Sequence, residues 1–380
     1  MKIVKGGVTA PKGFLANGVS SGIKRSGKAD LGIIVSEDAA ITAGVFTKSS
    51  IKAAPLVVSM KHIKKGTSRA MLVNSGNANC YTGNAGLKHA QDSTALIANF
   101  LGVDPVNVLV TSTGIIGKPL PYNKIVDAAP ALMKGLSAKG GGKFARAIMT
   151  TDLKVKEIAV EITLGGKKVS IGACGKGSGM VAPNMATMLG FVTTDADISL
   201  KMLKVALKRA TDRSFNSITV DGCMSTNDMV TVQASGLAGN KRIVNEDGDF
   251  KKFYLALEFI CIDLAKKIVQ DGEGATKFLT IHVKGGSTEA QARHIAKTIA
   301  NSALVKTAAF GSNPNWGRVG AAVGSLGISK INEHNMKITF SPFNKKEISI
   351  TVELTLGKAS ATVYTCDFSY EYVRINGEYN

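Results

Sequence analysis

A threonine at the start of a polypeptide carries its own base. Its α-amine titrates near ~8, close to neutral pH, and can take the hydroxyl proton as the oxygen attacks a carbonyl. Thr187 gains that chemistry only if the bond before it is broken. It lies near the middle of a 380-residue chain, in Val181-Ala-Pro-Asn-Met-Ala-Thr-Met-Leu-Gly190, and no charged residue occurs from Val181 to Thr194. Ala186 is small, so the Thr187 hydroxyl has room to attack the Ala186 carbonyl and shift the acyl group from nitrogen to oxygen. Water then hydrolyses the ester and frees the amine. Taken alone, the stretch reads first as an uncharged buried turn entering a strand or helix, and the nucleophile is the second reading.

Acyl transfer passes through a tetrahedral oxyanion, so hydrogen-bond donors must wait where that charge appears. Ser112-Thr-Gly-Ile-Ile-Gly117 follows an apolar strand, and its glycines let backbone approach a substrate closely. By itself it is equally an ordinary strand-to-loop turn. It lacks the Gly-x-x-x-x-Gly-Lys-Ser/Thr frame of a phosphate loop. Lys176, in Gly175-Lys-Gly-Ser-Gly179, has small neighbours that would leave its charge exposed to a ligand, although a lone lysine ordinarily faces solvent. Glu273 stands between two glycines, an unusual place for a helix-surface carboxylate. The five histidines, His62, His89, His282, His294 and His334, are dispersed, so neither a Ser-His-Asp triad nor a histidine metal site has support. No Rossmann fingerprint or other cofactor motif is present.

The elements that must position these residues alternate. Short apolar strands are expected at Leu31–Ser36, Ile41–Phe46, Arg69–Asn74 and Val108–Ser112. A helix is expected from about Ala85 to Leu101, and another from Tyr122 to Leu136 that Pro130 would kink. Gly140-Gly-Gly142 marks a loop. Val155–Leu164 and Lys168–Cys174 form a hairpin across Gly165-Gly166. A strand after Thr187 and a helix near Leu200–Arg213 follow. In Phe250–Val269, the strongest helix, Phe253, Leu257, Ile260, Leu264 and Ile268 fall on one stripe. A helix near Glu289–Ala300 and strands near Lys337–Phe340, Glu347–Leu354 and Ala361–Cys366 complete the pattern. Hairpins beside separate helices indicate a layered α+β fold rather than a doubly wound parallel sheet.

At 380 residues the chain should form one large body or two intimately packed lobes. Hydrophobic residues make up 44% and charged residues 20%, the balance of a soluble globular protein. No apolar run approaches the ~20 residues of a membrane helix, and the opening Met1-Lys-Ile-Val-Lys-Gly-Gly7 has no secretory core, so no membrane role is expected. Five separated cysteines argue against a disulfide framework and a Cys-x-x-Cys metal site, and fit a reducing cytoplasm. The net charge of +19 raises nucleic acid as a partner. Its lysines are scattered, with only three from Lys61 to Lys65, and no aromatic residue interleaves with a basic cluster. A solvated basic surface that draws in carboxylate substrates is the better reading.

Pro183-Asn-Met-Ala-Thr-Met-Leu189 with Thr193-Thr-Asp-Ala196 closely resembles the self-cleaving ornithine acetyltransferase / glutamate N-acetyltransferase family of arginine biosynthesis. Other matching words occur in family order along nearly the whole chain. Among them are Gly6-Gly-Val-Thr-Ala-Pro-Lys-Gly-Phe14, Val73-Asn-Ser-Gly-Asn-Ala-Asn79 and Thr111-Ser-Thr-Gly-Ile-Ile-Gly117. Met149-Thr-Thr-Asp152, Ser225-Thr-Asn-Asp228, Asp271-Gly-Glu-Gly-Ala-Thr276 and Asn313-Pro-Asn-Trp-Gly-Arg318 follow. The resemblance implies an α/β sandwich formed jointly by residues 1–186 and 187–380 after self-cleavage, the pieces assembling as a heterotetramer of two each. It implies Thr187 as nucleophile and, through its freed amine, base, with the Thr113 hydroxyl and Gly114 N–H as the oxyanion hole. Thr150, Lys176, Thr187, Glu273 and Asn376 would bind substrate, Glu273 holding an amino group. The implied reaction moves acetyl from N-acetylornithine to glutamate in the cytoplasm without a cofactor or metal, acetyl-CoA being an additional donor in some members.

Two departures stand out. The family typically has a threonine two residues beyond the tyrosine matching Tyr379, where this sequence ends at Asn380, and Cys223-Met224 replace a common Asp-Thr. The rival readings are a related amidase or aminopeptidase, in which water replaces glutamate, and an inactive binding protein.

Self-cleavage is directly testable. Intact mass under denaturing conditions should give two pieces, residues 1–186 and 187–380, and Thr187→Ala should stay whole. A Thr187→Ala protein still cut at that bond would point to a foreign protease.

Overall fold

Periodicity decides the elements. In the first strands Leu31, Ile33 and Val35 pack on one side of the sheet while Ile34 packs on the other, the two-residue alternation of a strand buried on both faces. The structure, a computed structural model, describes residues 1–182 and 188–378. The chain begins with β1 (Lys2–Val4), β2 (Phe14–Val19), β3 (Leu31–Phe46), α1 (Ala54–His62) and β4 (Thr67–Asn77). Then come α2 (Gly83–Leu101), β5 (Val108–Ile115), α3 (Tyr122–Lys134), α4 (Gly141–Ala147) and the hairpin β6 (Lys156–Leu164)–β7 (Lys167–Lys176). Beyond the undescribed residues lie β8 (Leu189–Thr194), α5 (Leu200–Arg213), β9 (Met229–Ala234) and α6 (Gly248–Gln270). The last part holds β10 (Phe278–Gly286), α7 (Glu289–Asn301), α8 (Ala303–Phe310), α9 (Trp316–Gly324), β11 (Met336–Phe340), β12 (Glu347–Leu354), β13 (Ala359–Cys366) and α10 (Tyr370–Glu378).

Among the described residues nine strands form one sheet, ordered β1-β6-β7-β8-β9-β3-β4-β5, with β2 paired to β3. The β4–β5 and β8–β9 pairs are parallel and the others antiparallel. Strands from both sides of the 186–187 bond are therefore neighbours in one sheet. One core is shared by Ile34, Met71 and Leu109 of one half of the sheet with Cys174, Leu189 and Phe191 of the other. Phe144 of α4 enters this core and meets Phe191 edge to face at 5.2 Å. Helices α1–α3 cover one outer face and α5–α6 another, giving the layered sandwich the sequence predicts. A second sheet, ordered β11-β12-β10-β13, carries α7–α9 over its own apolar core.

The longest helix illustrates how pattern becomes burial. Asp247 caps α6 by accepting the Phe250 N–H at 2.9 Å, and Phe253, Leu257, Ile260, Leu264 and Ile268 are all 0% exposed. That stripe lies against β6 and the helix α5, whose cap is Ser199.

Three expectations need correction. Leu31–Ser36 and Ile41–Phe46 are one strand, β3, whose pairing with β4 shifts register between Val35 and Ala40. The irregularity lets a single strand serve both halves of the sheet, holding β2 along its start and β9 along its end. The Gly140-Gly-Gly142 stretch opens α4 rather than a loop, because burying Phe144 and Ala145 coils the backbone and both Lys143 and Phe144 N–H groups bond the Gly140 carbonyl. Helix α3 runs through Pro130 and stops at Lys134, short of Leu136.

Truncating the central stripe residue tests the packing. Phe253→Ala should lower unfolding free energy by about 3–5 kcal/mol in urea titration with an unchanged m-value. A loss under about 1 kcal/mol would show that α6 is not held through this side chain.

Candidate functional site

The ends of separate elements meet at one cavity. Thr113 and Gly114 come from the end of β5, Thr150 from the loop before β6, Lys176 from the end of β7, Glu273 from beyond α6, and Asn376 from α10. Those are all the described residues that the sequence assigns to the site. Ala186 and Thr187 lie outside the described residues. Met188, the next residue along the chain, is part of the cavity wall, as is Asp228 just before β9.

Backbone packing fixes the Thr113–Gly114 corner. The β4–β5 ladder loses its regular register at Gly76 and Asn77. Gly114 has φ +132°, and a Cβ there would lie 2.4 Å from the Gly76 carbonyl carbon. Only glycine satisfies both the conformation and the contact.

Lys176 is buried from bulk solvent but lines the cavity. The glycines beside it let polar backbone close in: Gly177 N–H donates to Asp152 Oδ1 at 2.8 Å. Lys176 Nζ donates to Thr150 Oγ1 at 2.7 Å and to Thr113 Oγ1 at 3.3 Å, and lies 3.8 Å from Asp152 Oδ2. Burial lowers its pKa, and Asp152 pulls against that shift. Because Thr113 accepts from Lys176, its own hydroxyl hydrogen is free to donate elsewhere.

Beneath Lys176 lies an ion network. Lys156 Nζ donates to Asp152 Oδ1 at 2.6 Å and to Asp271 Oδ2 at 2.5 Å, and all three side chains are at most 5% exposed. Asp271 also accepts the Leu153 and Lys154 N–H groups, and its carbonyl accepts the Ser178 hydroxyl at 2.7 Å. For Asp152, burial opposes ionisation, but Lys176 and Lys156 outweigh it and hold the carboxyl well below the usual range. The network thus joins the loop carrying Thr150, the strand carrying Lys176 and the segment carrying Glu273.

Glu273 Oε2 accepts from Asn376 Nδ2 at 3.0 Å. The carboxylate lies flat against Gly179, where a Cβ would stand 2.1 Å from Oε2. Ser369 ties the approach to α10 onto this turn by donating to the Gly274 carbonyl at 2.6 Å. The cavity therefore presents a cation, an anion and two threonine hydroxyls, the complement of a small molecule bearing both charges.

Sequence reasoning missed Asp152, Lys156, Asp271 and Asp228. Asp152 and Asp228 end matched words and Asp271 begins one, so acidic residues at word edges were a usable signal. Lys156 gave none, since in sequence it is one polar residue of an alternating strand. None of the five histidines lines the cavity. None of the five cysteines forms a disulfide among the described residues, and of the five only Cys223 is exposed. No helix among the described residues is long and apolar enough to cross a membrane.

The ArgJ family model matches residues 15–345 and 341–380, almost the entire sequence. The chain belongs to the ArgJ family. The arginine biosynthesis bifunctional protein ArgJ of Symbiobacterium thermophilum is 44% identical over 400 residues, with 100% of both chains covered. Its counterpart in Gloeobacter violaceus is 44% identical, covering 99% of this chain and 98% of that one. Among solved structures, the ornithine acetyltransferase of Mycobacterium tuberculosis complexed with ornithine is 37% identical, covering 49% of this chain and 99% of that chain with a TM-score of 0.46.

The ion network yields a signed prediction. Lys156→Met leaves Asp152 and Asp271 without their shared cation and should cost about 3–5 kcal/mol at pH 7. Asp152 has a depressed folded pKa, so its stabilising share is present above its unfolded value near ~3.9 and fades as pH falls below it. The variant's penalty should therefore shrink in urea titrations at pH 3. A penalty independent of pH would assign Lys156 a packing role only.

Proposed function

We propose that this ArgJ-family chain is a glutamate N-acetyltransferase that takes acetyl from N-acetylornithine through an ester on Thr187. The observation that carries the reading is Lys176, held by the Thr113 and Thr150 hydroxyls on a cavity that also includes Glu273 and Met188. The name shared by its full-length relatives places them in arginine biosynthesis.

In the proposed sequence, Thr187 Oγ attacks the Ala186 carbonyl, the C–N bond breaks, and water releases the new carboxylate. The freed amine then accepts the Oγ proton as that oxygen attacks the acetyl carbonyl of N-acetylornithine. Thr113 and Gly114 stabilise the oxyanion. The ammonium returns its proton to the leaving nitrogen, ornithine departs, and the glutamate amine takes the acetyl group by the reverse steps. Lys176 and Thr150 serve the substrate's carboxylate end, and Glu273 with Asn376 an ammonium. The working enzyme is a heterotetramer of two 1–186 and two 187–380 pieces in the cytoplasm. An amidase would use water in place of glutamate.

Incubation with N-acetylornithine alone should add one acetyl group to the 187–380 piece, at Thr187, and initial rates should be ping-pong. Thr113→Ala should lower kcat by roughly 10²–10³ with a smaller change in KM. Intersecting double-reciprocal plots without an acetylated peptide would sink the covalent route, and an unchanged kcat would remove Thr113 from the oxyanion hole.

A further inference from the structure

A second pocket adjoins the reaction cavity and carries a different charge. Lys24, Arg25 and Lys118 line its space of about 430 Å³, and no carboxylate residue is among the lining. Thr150 and Thr151 line both spaces. Thr150 Oγ1 is also the group that accepts from Lys176 Nζ at 2.7 Å. A ligand carboxylate held by Lys176 and Thr150 is therefore next to the basic pocket.

The chain builds this pocket from a folded loop. Asp30 is buried, and its carboxylate accepts the Ser21 N–H at 2.6 Å, the Ser21 hydroxyl at 2.8 Å and the Lys24 N–H at 2.8 Å. The Lys24 stem lies against Gly76, where φ is +96° and a Cβ would stand 2.9 Å from Lys24 Cγ. Gly76 is the same residue that Gly114 packs on from the cavity side. Lys24 Nζ donates to the Ala29 carbonyl at 2.7 Å, which leaves further N–H donors for a ligand. Among the described residues no ion pair reaches the side chains of Lys24, Arg25 or Lys118. Burial lowers the Lys24 pKa to about 8, with Asp30 pulling against that shift. A half-buried ammonium of this kind is stabilised by an anion.

The charges of the reaction cavity say which anion. Its charged wall consists of Lys176, Asp228 and Glu273. N-acetylornithine brings one carboxylate and one ammonium, which Lys176 and Glu273 complement. Glutamate brings a second carboxylate where ornithine has its side-chain ammonium. In the same pose that carboxylate would face Glu273, and like charges withdrawn from water repel strongly. Glutamate therefore needs a cation on another side of the Lys176 site.

We infer that the pocket of Lys24, Arg25 and Lys118 receives the side-chain carboxylate of the acceptor glutamate, while its α-carboxylate stays with Lys176 and Thr150. The inference deepens the function proposed above and rests on it. The two substrates share one end of the site and part at Thr150: the ornithine ammonium turns to Glu273, the glutamate carboxylate to Lys24. No bond is made or broken at the pocket. It selects the acceptor by charge.

Lys24→Met keeps the stem against Gly76 and removes the charge. Its kcat/KM for glutamate should fall at least about tenfold, while kcat/KM for N-acetylornithine stays within about twofold. Glutamine as acceptor separates charge from shape. The wild-type preference for glutamate over glutamine should shrink at least about tenfold in the variant, whereas a loop that was merely loosened would slow both acceptors alike. An unchanged value for glutamate, or an equal loss on both acceptors, would overturn the inference. If neither protein uses glutamine, the glutamate value decides. Should Lys24→Met not fold, Arg25→Gln at an exposed position takes its place, with a loss on glutamate of at least about threefold expected and no loss counting against the pocket. The wild-type control separates the two readings. If the wild-type chain transfers no acetyl to glutamate, the proposed function fails and the inference with it. If it does, and the variants keep its efficiency and preference, the pocket alone is wrong.

Discussion

Lys156 sits between Asp152 and Asp271 with almost no access to water, and the reaction cavity is assembled on that contact. Three buried charges are stable together only because each has hydrogen bonds as well as an opposite charge. Asp152 adds the Thr150 and Gly177 N–H groups, and Asp271 those of Leu153 and Lys154. The result is a rigid base of three segments brought together from different parts of the sequence. Lys176 rests on Asp152, and the Ser178 hydroxyl reaches the Asp271 carbonyl. Removal of the central ammonium would loosen the cation, the hydroxyl and the carboxylate ends of the cavity together.

Placing the network beneath the cavity also determines which charges remain open to it. Asp152 is spent on two lysines and cannot serve as a proton acceptor near neutral pH. Among the described residues Lys176 has only two hydroxyls and one carboxylate oxygen at 3.8 Å as close partners, and it lines the cavity. Glu273 is held by an amide rather than by a cation, which leaves its negative charge uncancelled. Strong pairs below and weak pairs above make a site that is rigid yet still electrically unsaturated.

Where burial repeats with a period, the sequence was readable. The stripe on α6 and the helix Leu200–Arg213 match the structure closely, as does the β6–β7 hairpin, because each is set by neighbours within a few residues. Strand β9 was not foreseen: all of Met229–Ala234 is buried, so no polar–apolar alternation marks it. Strand β10 does alternate, with Leu279, Ile281 and Val283 inward, and a closer reading would have found it. The continuity of β3 could not be read, since exposed Glu37–Ala39 look like a turn and fall in the gap where the pairing with β4 shifts register, the ladders before and after them carrying the strand through. For the site, residue type and family words picked out six of the described residues that line the cavity, but not Asp228. They could not tell that Lys176 is enclosed, because enclosure comes from Asp152, Thr150 and Thr113, which are distant along the chain.

The position of β8 has a consequence for how the molecule comes to exist. The strand is inserted between β7, which precedes residue 187, and β9, which follows it. The apolar core against Phe144 is likewise shared, because Phe191 from one side and Met71 and Leu109 from the other complete it. Neither half of the sequence encloses a core of its own there. If the chain is cut as proposed, the unbroken precursor carries the folding instructions, and the connecting bond supplies the high local concentration that brings β8 home. With that bond gone, the covalent structure would no longer encode its own assembly at the same efficiency. Such a protein would be a product of history as much as of minimum free energy: easy to form once, hard to form again after denaturation, and durable in between because its two pieces share a single sheet.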